Sequence, residues 1–127
     1  PGGNYGWPER IGYFKDNQYL NPLIMWPDTS VPPSGAVFYR GDLYIATLRS
    51  EALIKIELEQ NSESNYQVKR IERWFAEDER TGKYGRLRAV TVGPDGYLYV
   101  LTNNRDGRGN PKLGDDKILK IIPKKIN

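Results

Sequence analysis

Hydrophobic positions fall into two textures along this chain. From residue 36 onward, short runs of β-branched and aromatic residues alternate with turn residues, and the runs at 36–40, 42–48, 53–58, 66–75, 87–92, 97–102 and 117–123 predict seven strands. The clearest is Leu53-Ile54-Lys55-Ile56-Glu57-Leu58, whose period of two is that of a strand with one buried face. Only residues 74–81 have a helical look, and they are too few and too polar to form a helix of consequence. Residues 1–35 carry Gly2, Gly3, Gly6 and Gly12 with Pro8, Pro22, Pro27, Pro32 and Pro33 and no periodicity, which predicts an ordered, aromatic-rich, meandering loop. Within it, the Trp7 ring is expected to pin the Gly-rich segment. The chain is thus predicted to be all-β.

An internal repeat narrows the architecture. Gly41-Asp42-Leu43-Tyr44-Ile45 matches Gly96-Tyr97-Leu98-Tyr99-Val100, 55 positions further on, and the preceding runs align as Ala36-Val37 with Ala89-Val90. The following runs, Leu53-Ile54-Lys55-Ile56 and Ile118-Leu119-Lys120-Ile121, stand 65 positions apart, the excess being absorbed by the loop at 105–114. Repeats of about 40 to 50 residues with four short strands are those of propeller blades, and both repeats here exceed that range through loop insertions. The domain reading is a loop region at 1–35, a blade at 36–75, a connecting loop at 76–86 and an incomplete last blade at 87–127. The first repeat has four strands and the second three. Two blades cannot close a ring, so the chain, which starts at Pro1, reads as the C-terminal piece of a larger propeller whose open edges are prone to self-pairing.

Composition changes this picture mainly by exclusion. The 127 residues suit one domain. No stretch approaches the ~20 apolar residues of a membrane-spanning helix, and no targeting segment is visible. Nineteen Lys and Arg against 16 Asp and Glu give a net charge of +3, scattered apart from the run Pro123-Lys124-Lys125, so no nucleic-acid partner is expected. The chain has no Cys, hence no disulfide, thiolate metal site or Cys nucleophile, and no His, hence no Ser-His-Asp triad, His base or His metal ligand of its own.

Six motifs then occur in order: Gly2-Gly3-Asn4-Tyr5-Gly6-Trp7-Pro8, Trp26-Pro27, Pro33-Ser34-Gly35, Thr47-Leu48-Arg49, Arg86-Leu87-Arg88, and Gly93-Pro94-Asp95-Gly96 leading into Tyr97-Leu98-Tyr99-Val100-Leu101-Thr102. Together they resemble the C-terminal part of the soluble, pyrroloquinoline-quinone (PQQ)-dependent glucose/sorbosone (aldose sugar) dehydrogenases. The resemblance covers nearly the whole chain. It implies a partial β-propeller of about two four-stranded blades out of six, a quinone over the central channel, and transfer of a hydride or electron pair from the anomeric carbon of an aldose to that quinone. It also implies an active-site calcium with a His base, an external electron acceptor and an extracytoplasmic location. The ligands of that calcium and the base are expected upstream of Pro1, so the piece alone is expected to be inactive.

Arg49, Arg86 and Arg88 are the candidate cofactor-binding residues. The quinone carries three carboxylates, and a planar guanidinium pairs with a carboxylate through two parallel hydrogen bonds. Arg86 and Arg88, two apart, are expected on one strand face; Arg49 ends a strand where the resemblance puts a Lys or Arg against the cofactor. The alternative is three solvent-exposed arginines without partners. Ala89 stands where the family often has Asp, which leaves whatever that Asp orients unsupported. Trp26 is the candidate substrate-binding residue, its indole stacking on a sugar ring, or else a loop anchor on a blade edge. Asp16 with the carbonyls of Tyr5 and Ile11 matches a second, structural calcium site of some relatives, although one carboxylate and two carbonyls fall short of calcium's six to eight oxygens. The loop Asn103-Asn104-Arg105-Asp106-Gly107 lacks the spaced acids and closing Glu of a calcium loop and reads as a turn. Against the sugar-dehydrogenase reading stands a non-catalytic propeller that binds a sugar or a protein; a metal-dependent propeller hydrolase is disfavoured by inner positions rich in Arg rather than acids.

Overall fold

The computed structural model describes residues 2–26, 31–62 and 65–123. Pro27 and the Lys124-Lys125 pair lie outside the described residues. Seven strands follow in order: β1 (Pro33–Tyr39), β2 (Asp42–Thr47), β3 (Leu53–Ser62), β4 (Asn65–Trp74), β5 (Leu87–Val92), β6 (Leu98–Thr102) and β7 (Ile118–Ile121). They form two antiparallel meanders, β1-β2-β3-β4 and β5-β6-β7, and the described residues contain no helix. The chain is therefore all-β, with one four-stranded blade and one three-stranded blade of a partial propeller.

β3 and β4 outrun their hydrophobic pattern. Glu59, Gln60 and Ser62 have little strand propensity, yet they pair with Gln67, Tyr66 and Asn65. The backbone ladder carries the hairpin into solvent, with Gln67 Nε2 donating to Glu59 Oε2 at 3.0 Å. The stretch after β4 turns instead of coiling, closed by an isolated bridge between Ala76 and Gly82.

The core lies between the two sheets. Tyr44, Ala46 and Leu53 of the first pack against Leu87, Val90, Leu98 and Val100 of the second, and Leu53, Leu87 and Val100 are wholly buried. Fully burying one such side chain is worth roughly 1.5–3 kcal/mol. Tyr44 extends the contact through edge-on rings to Tyr39 and Trp74, with centroids 6.1 and 5.5 Å away. β1 and β5 meet closely: a Cβ on Gly35 would lie 3.2 Å from the Ala89 Cα, so only glycine permits this spacing without adjustment.

The repeat holds at the level of hydrogen bonds. Thr47 N–H donates to the Ala52 carbonyl while the Thr47 hydroxyl accepts from Ala52 N–H; Thr102 does the same with Lys117. The two inner strands, however, correspond with an offset of 54 and not the 53 of the Ala36-Val37 match: Ala36 pairs with Ile45, and Val90 pairs with Val100, the equivalent of Ile45. The cause lies in the turns. β1 and β2 join through two left-handed residues, Arg40 and Gly41 (φ 51° and 89°), whereas Gly93 N–H reaches the Tyr97 carbonyl across three residues.

The loop region has backbone ties of its own, including Arg10 N–H to the Gly6 carbonyl at 2.7 Å and Leu20 N–H to the Asn4 carbonyl at 2.8 Å. Trp7 does not pin it. That ring is 78% exposed, and the Tyr19 ring lies against Gly6 instead, anchored by its hydroxyl to Glu9 Oε2 at 2.8 Å.

Candidate functional site

Both inner strands carry a bulge at the same level. The register shifts between Pro33 and Gly35 in β1 and between Leu87 and Ala89 in β5, leaving Ser34 and Arg88 as the extra residues of adjacent blades. A bulge turns its side chain out of the regular pleat. Leu87 and Val90, three apart, are both buried for this reason. Arg88 is exposed and reaches across to the neighbouring blade, its Nη1 lying 3.4 Å from Ser34 Oγ.

The shared strand face expected for Arg86 and Arg88 is not kept. Arg86 stands one residue ahead of β5, and the bulge interrupts the alternation between them. Its side chain turns the other way, into the loop that joins β6 to β7. Arg86 Nη2 donates to Asp106 Oδ2 at 3.0 Å and Nε to the Asn103 carbonyl at 3.3 Å, and only 11% of the side chain is exposed. Arg49 lies two residues past the end of β2, whose Thr47 pairs with Pro33 of β1; it is exposed, with no hydrogen-bond or ion-pair partner among the described residues. The three arginines thus occupy one end of the two blades: Arg49 and Arg88 with uncommitted charge, Arg86 held from within.

The loop at 103–117 builds the wall beside Arg86. Asn104, 3% exposed, is its hub: Oδ1 accepts from Arg86 N–H at 2.9 Å, and Nδ2 donates to the Tyr84 carbonyl at 2.9 Å and to Asp115 Oδ2 at 3.1 Å. Gly85, at φ 70°, leaves the space that Asn104 fills; a Cβ there would fall 2.3 Å from Asn104 Oδ1. Asp115 also accepts from Lys112 N–H and Lys117 Nζ, each at 2.7 Å, and these bonds, the backbone one foremost, hold its carboxyl below the ordinary range. Asp106 is lowered likewise, first by the Arg108 N–H at 2.9 Å and then by Arg86. Asn104, Asp106 and Asp115 are absent from the sequence-derived site, where this stretch reads as a turn; its length beside the 48–52 connection is the signal that could have found them.

Trp26 is half-buried and shares an apolar hollow with Leu23, Ile24, Leu43, Ile45 and Leu58, on the face of the first sheet turned away from the second. The Asp16 carboxylate accepts from Arg10 Nε at 3.4 Å and from Gln18 N–H at 3.2 Å, while the Tyr5 and Ile11 side chains are exposed. Among the described residues no three acidic side chains gather as a metal site. A lone carboxylate already facing a guanidinium does not fit calcium. Carboxylate-bearing anions, by contrast, fit Arg49, Arg88, which spends only Nη1 on the Ser34 hydroxyl, and the remaining nitrogen of Arg86.

The chain is similar to known proteins over nearly its whole length. A curated relative, the aldose sugar dehydrogenase YliI of Escherichia coli, is 30% identical over 97% of this chain, and the chain spans 33% of its length. An oxidoreductase of Thermus thermophilus described as a glucose dehydrogenase is 47% identical, with a TM-score of 0.82 over 96% of this chain and 34% of its own. The PQQ-bound aldose sugar dehydrogenase of Streptomyces coelicolor is 36% identical, with a TM-score of 0.75 over 94% of this chain and 33% of its own. The sequence matches the glucose/sorbosone dehydrogenase family over residues 1–119, and the chain belongs to that family.

Proposed function

We propose that this chain forms part of a quinoprotein sugar dehydrogenase that oxidises an aldose at its anomeric carbon with PQQ, and that Arg49, Arg86 and Arg88 hold the carboxylates of the quinone. The observation that carries the reading is that three arginines stand at one end of adjacent blades, with Arg49 unpartnered among the described residues and Arg88 bonded only to the neutral Ser34 hydroxyl. The family membership and the PQQ-bound relative support it.

When bound, the quinone supplies the acceptor for the two electrons that leave the sugar. The residues of this chain act by binding and orientation. Arg88 offers a fork from the bulge of β5, Arg49 a second from the end of β2, and Arg86 its remaining Nη1, whose direction is set by Asp106 and Asn103. The resemblance implies a His base, and the chain holds no His, so the proton of the anomeric hydroxyl would pass to a base supplied by the rest of the full-length protein. The isolated chain should not turn over sugar. Trp26, packed in the hollow on the first sheet, would offer the exposed part of its indole to a sugar ring. An extracytoplasmic setting and an external electron acceptor accompany the reading.

Calorimetric titration of PQQ into the full-length protein tests it. Removing one charge-assisted fork, as in Arg88→Ala, should weaken binding roughly 10- to 150-fold, a charged hydrogen bond being worth about 1.5–3 kcal/mol. Arg88→Lys should recover only part, because an ammonium keeps the charge without the planar fork. Equal affinity in the parent and the Ala variants of Arg49 and Arg88 would remove these residues from the site.

A further inference from the structure

The connection from β6 to β7 runs through residues 103–117, against 48–52 between β2 and β3 at the equivalent place. The longer connection is not slack chain, for its polar groups are tied to one another and to Arg86. Asp106 stands where these ties meet the guanidinium. Oδ2 accepts from Arg86 Nη2 and from Asn103 Nδ2, both at 3.0 Å, and Oδ1 accepts from Arg108 N–H at 2.9 Å. Its own direction is therefore fixed on both oxygens. Gly109 closes the loop onto the same arginine: a Cβ there would lie 2.7 Å from the Asn104 Cα and 3.0 Å from the Arg86 Cδ.

We infer that Asp106 is a positioning residue, holding the Arg86 guanidinium so that its free edge faces an anionic ligand at the end of the two blades. The inference rests on the quinone reading above. A long, unbranched side chain loses rotamer freedom when it binds a ligand, and a carboxylate that has already fixed it removes that cost from the binding step. The pair also divides the work among the three arginines. Arg86 with Asp106 is close to neutral overall and contributes a direction, whereas Arg49 and Arg88, with no carboxylate beside them among the described residues, contribute attraction.

A double-mutant cycle on PQQ affinity in the full-length protein separates positioning from general damage to the loop. Four proteins are titrated: the parent, Asp106→Ala, Arg86→Ala and the double variant, at a temperature where circular dichroism shows all four folded. Arg49 and Arg88 are expected to keep binding measurable without Arg86. Asp106→Ala should weaken PQQ binding roughly tenfold when Arg86 is present, within the range of coupling between contacting residues, and by less than about twofold when Arg86 is already Ala. Asp106→Asn, which keeps an acceptor oxygen, should recover part of the loss. Equal weakening in both backgrounds, or none in either, overturns the positioning role while leaving the quinone reading intact. Absence of PQQ binding by the parent overturns that reading, and this inference falls with it.

Discussion

The two blades solve the same local problem with connections of different length. In both, the last threonine of the second strand closes the turn into the third with its hydroxyl: Thr47 onto Ala52, Thr102 onto Lys117. Even the third partner is matched, since Thr47 Oγ1 lies 2.6 Å from Ser50 Oγ and Thr102 Oγ1 donates to Asp116 Oδ1 at 3.1 Å. What differs is the excursion between them. The short one leaves Arg49 exposed at its crest; the long one folds over Arg86 and takes it out of solvent. Scaffold and site are thus separable: the threonine junction is common to both blades, and the insertion gives the second blade its own way of presenting an arginine.

The largest expected effect lies in the core that both blades share. Leu53 comes from the first sheet and Leu87 from the second, and each is wholly buried in that core. Truncating either to Ala should cost about 2–5 kcal/mol, transfer plus cavity. If the two blades are one cooperative unit, both variants shift a single unfolding transition followed by denaturant titration. Two transitions, only one of them moved, would show blades that unfold independently.

Next comes Gly85→Ala, aimed at the long connection alone. The residue sits at φ 70° and its new Cβ would meet the buried Asn104 amide, so the backbone has to move or Asn104 has to leave. A loss of about 1–3 kcal/mol is expected. Gly41→Ala, in the two-residue hairpin of the first blade, has a similarly left-handed φ of 89° but open space around it, and should cost only about 1 kcal/mol. Similar losses for the two would mean that Asn104 is not the hub of the loop.

The threonine junction supplies a closer match. Thr47→Val and Thr102→Val keep the shape and remove the hydroxyl, orphaning a backbone N–H in each blade, at Ala52 and at Lys117. About 1–2 kcal/mol is expected from each. Denaturation midpoints that differ greatly between the two would break the equivalence on which the comparison stands.

Much of this fold was legible because strand runs, turn residues and the repeat all point to one architecture. Strand identity survived even where boundaries moved, as in the polar tail of the β3–β4 hairpin, because pairing there is a property of two backbones and not of side-chain pattern. The bulge was not legible. Nothing in Arg86-Leu87-Arg88 announces an extra residue opposite Thr102, and without it simple alternation puts both arginines on one face. The one-residue slip of the inner strands escaped for a similar reason: turns of two and three residues both contain Gly and lie beside Asp, and only the hydrogen bonds tell them apart. Asp106 reads as part of an ordinary turn in Asn103-Asn104-Arg105-Asp106-Gly107, since its partner Arg86 is twenty residues away and no local pattern links them.

The smallest effect compares two ion clusters, one on each blade. In the second, Asp95 Oδ2 accepts from Lys120 Nζ and from the Tyr99 hydroxyl, each at 2.7 Å, and these bonds lower its carboxyl to about 2. In the first, Glu57 is lowered by Arg70 foremost and then by Lys55. A carboxylate whose folded value is depressed binds its proton less readily when folded, so its stabilisation is present above the unfolded value and is lost as the pH falls through the folded one. For Asp95 that window runs from the ordinary 3.8 down to about 2. Asp95→Asn should therefore flatten the fall in stability across that window and leave in place the Glu57 contribution, which Glu57→Gln removes separately. Both clusters are open to solvent, and raising the salt to ~1 M, where the screening length shrinks to about 3 Å, should shrink both effects together. Denaturant midpoints followed from neutral pH down through that window decide it. An unaltered acid limb in Asp95→Asn would mean that the Asp95–Lys120–Tyr99 cluster adds nothing to the stability of the second blade.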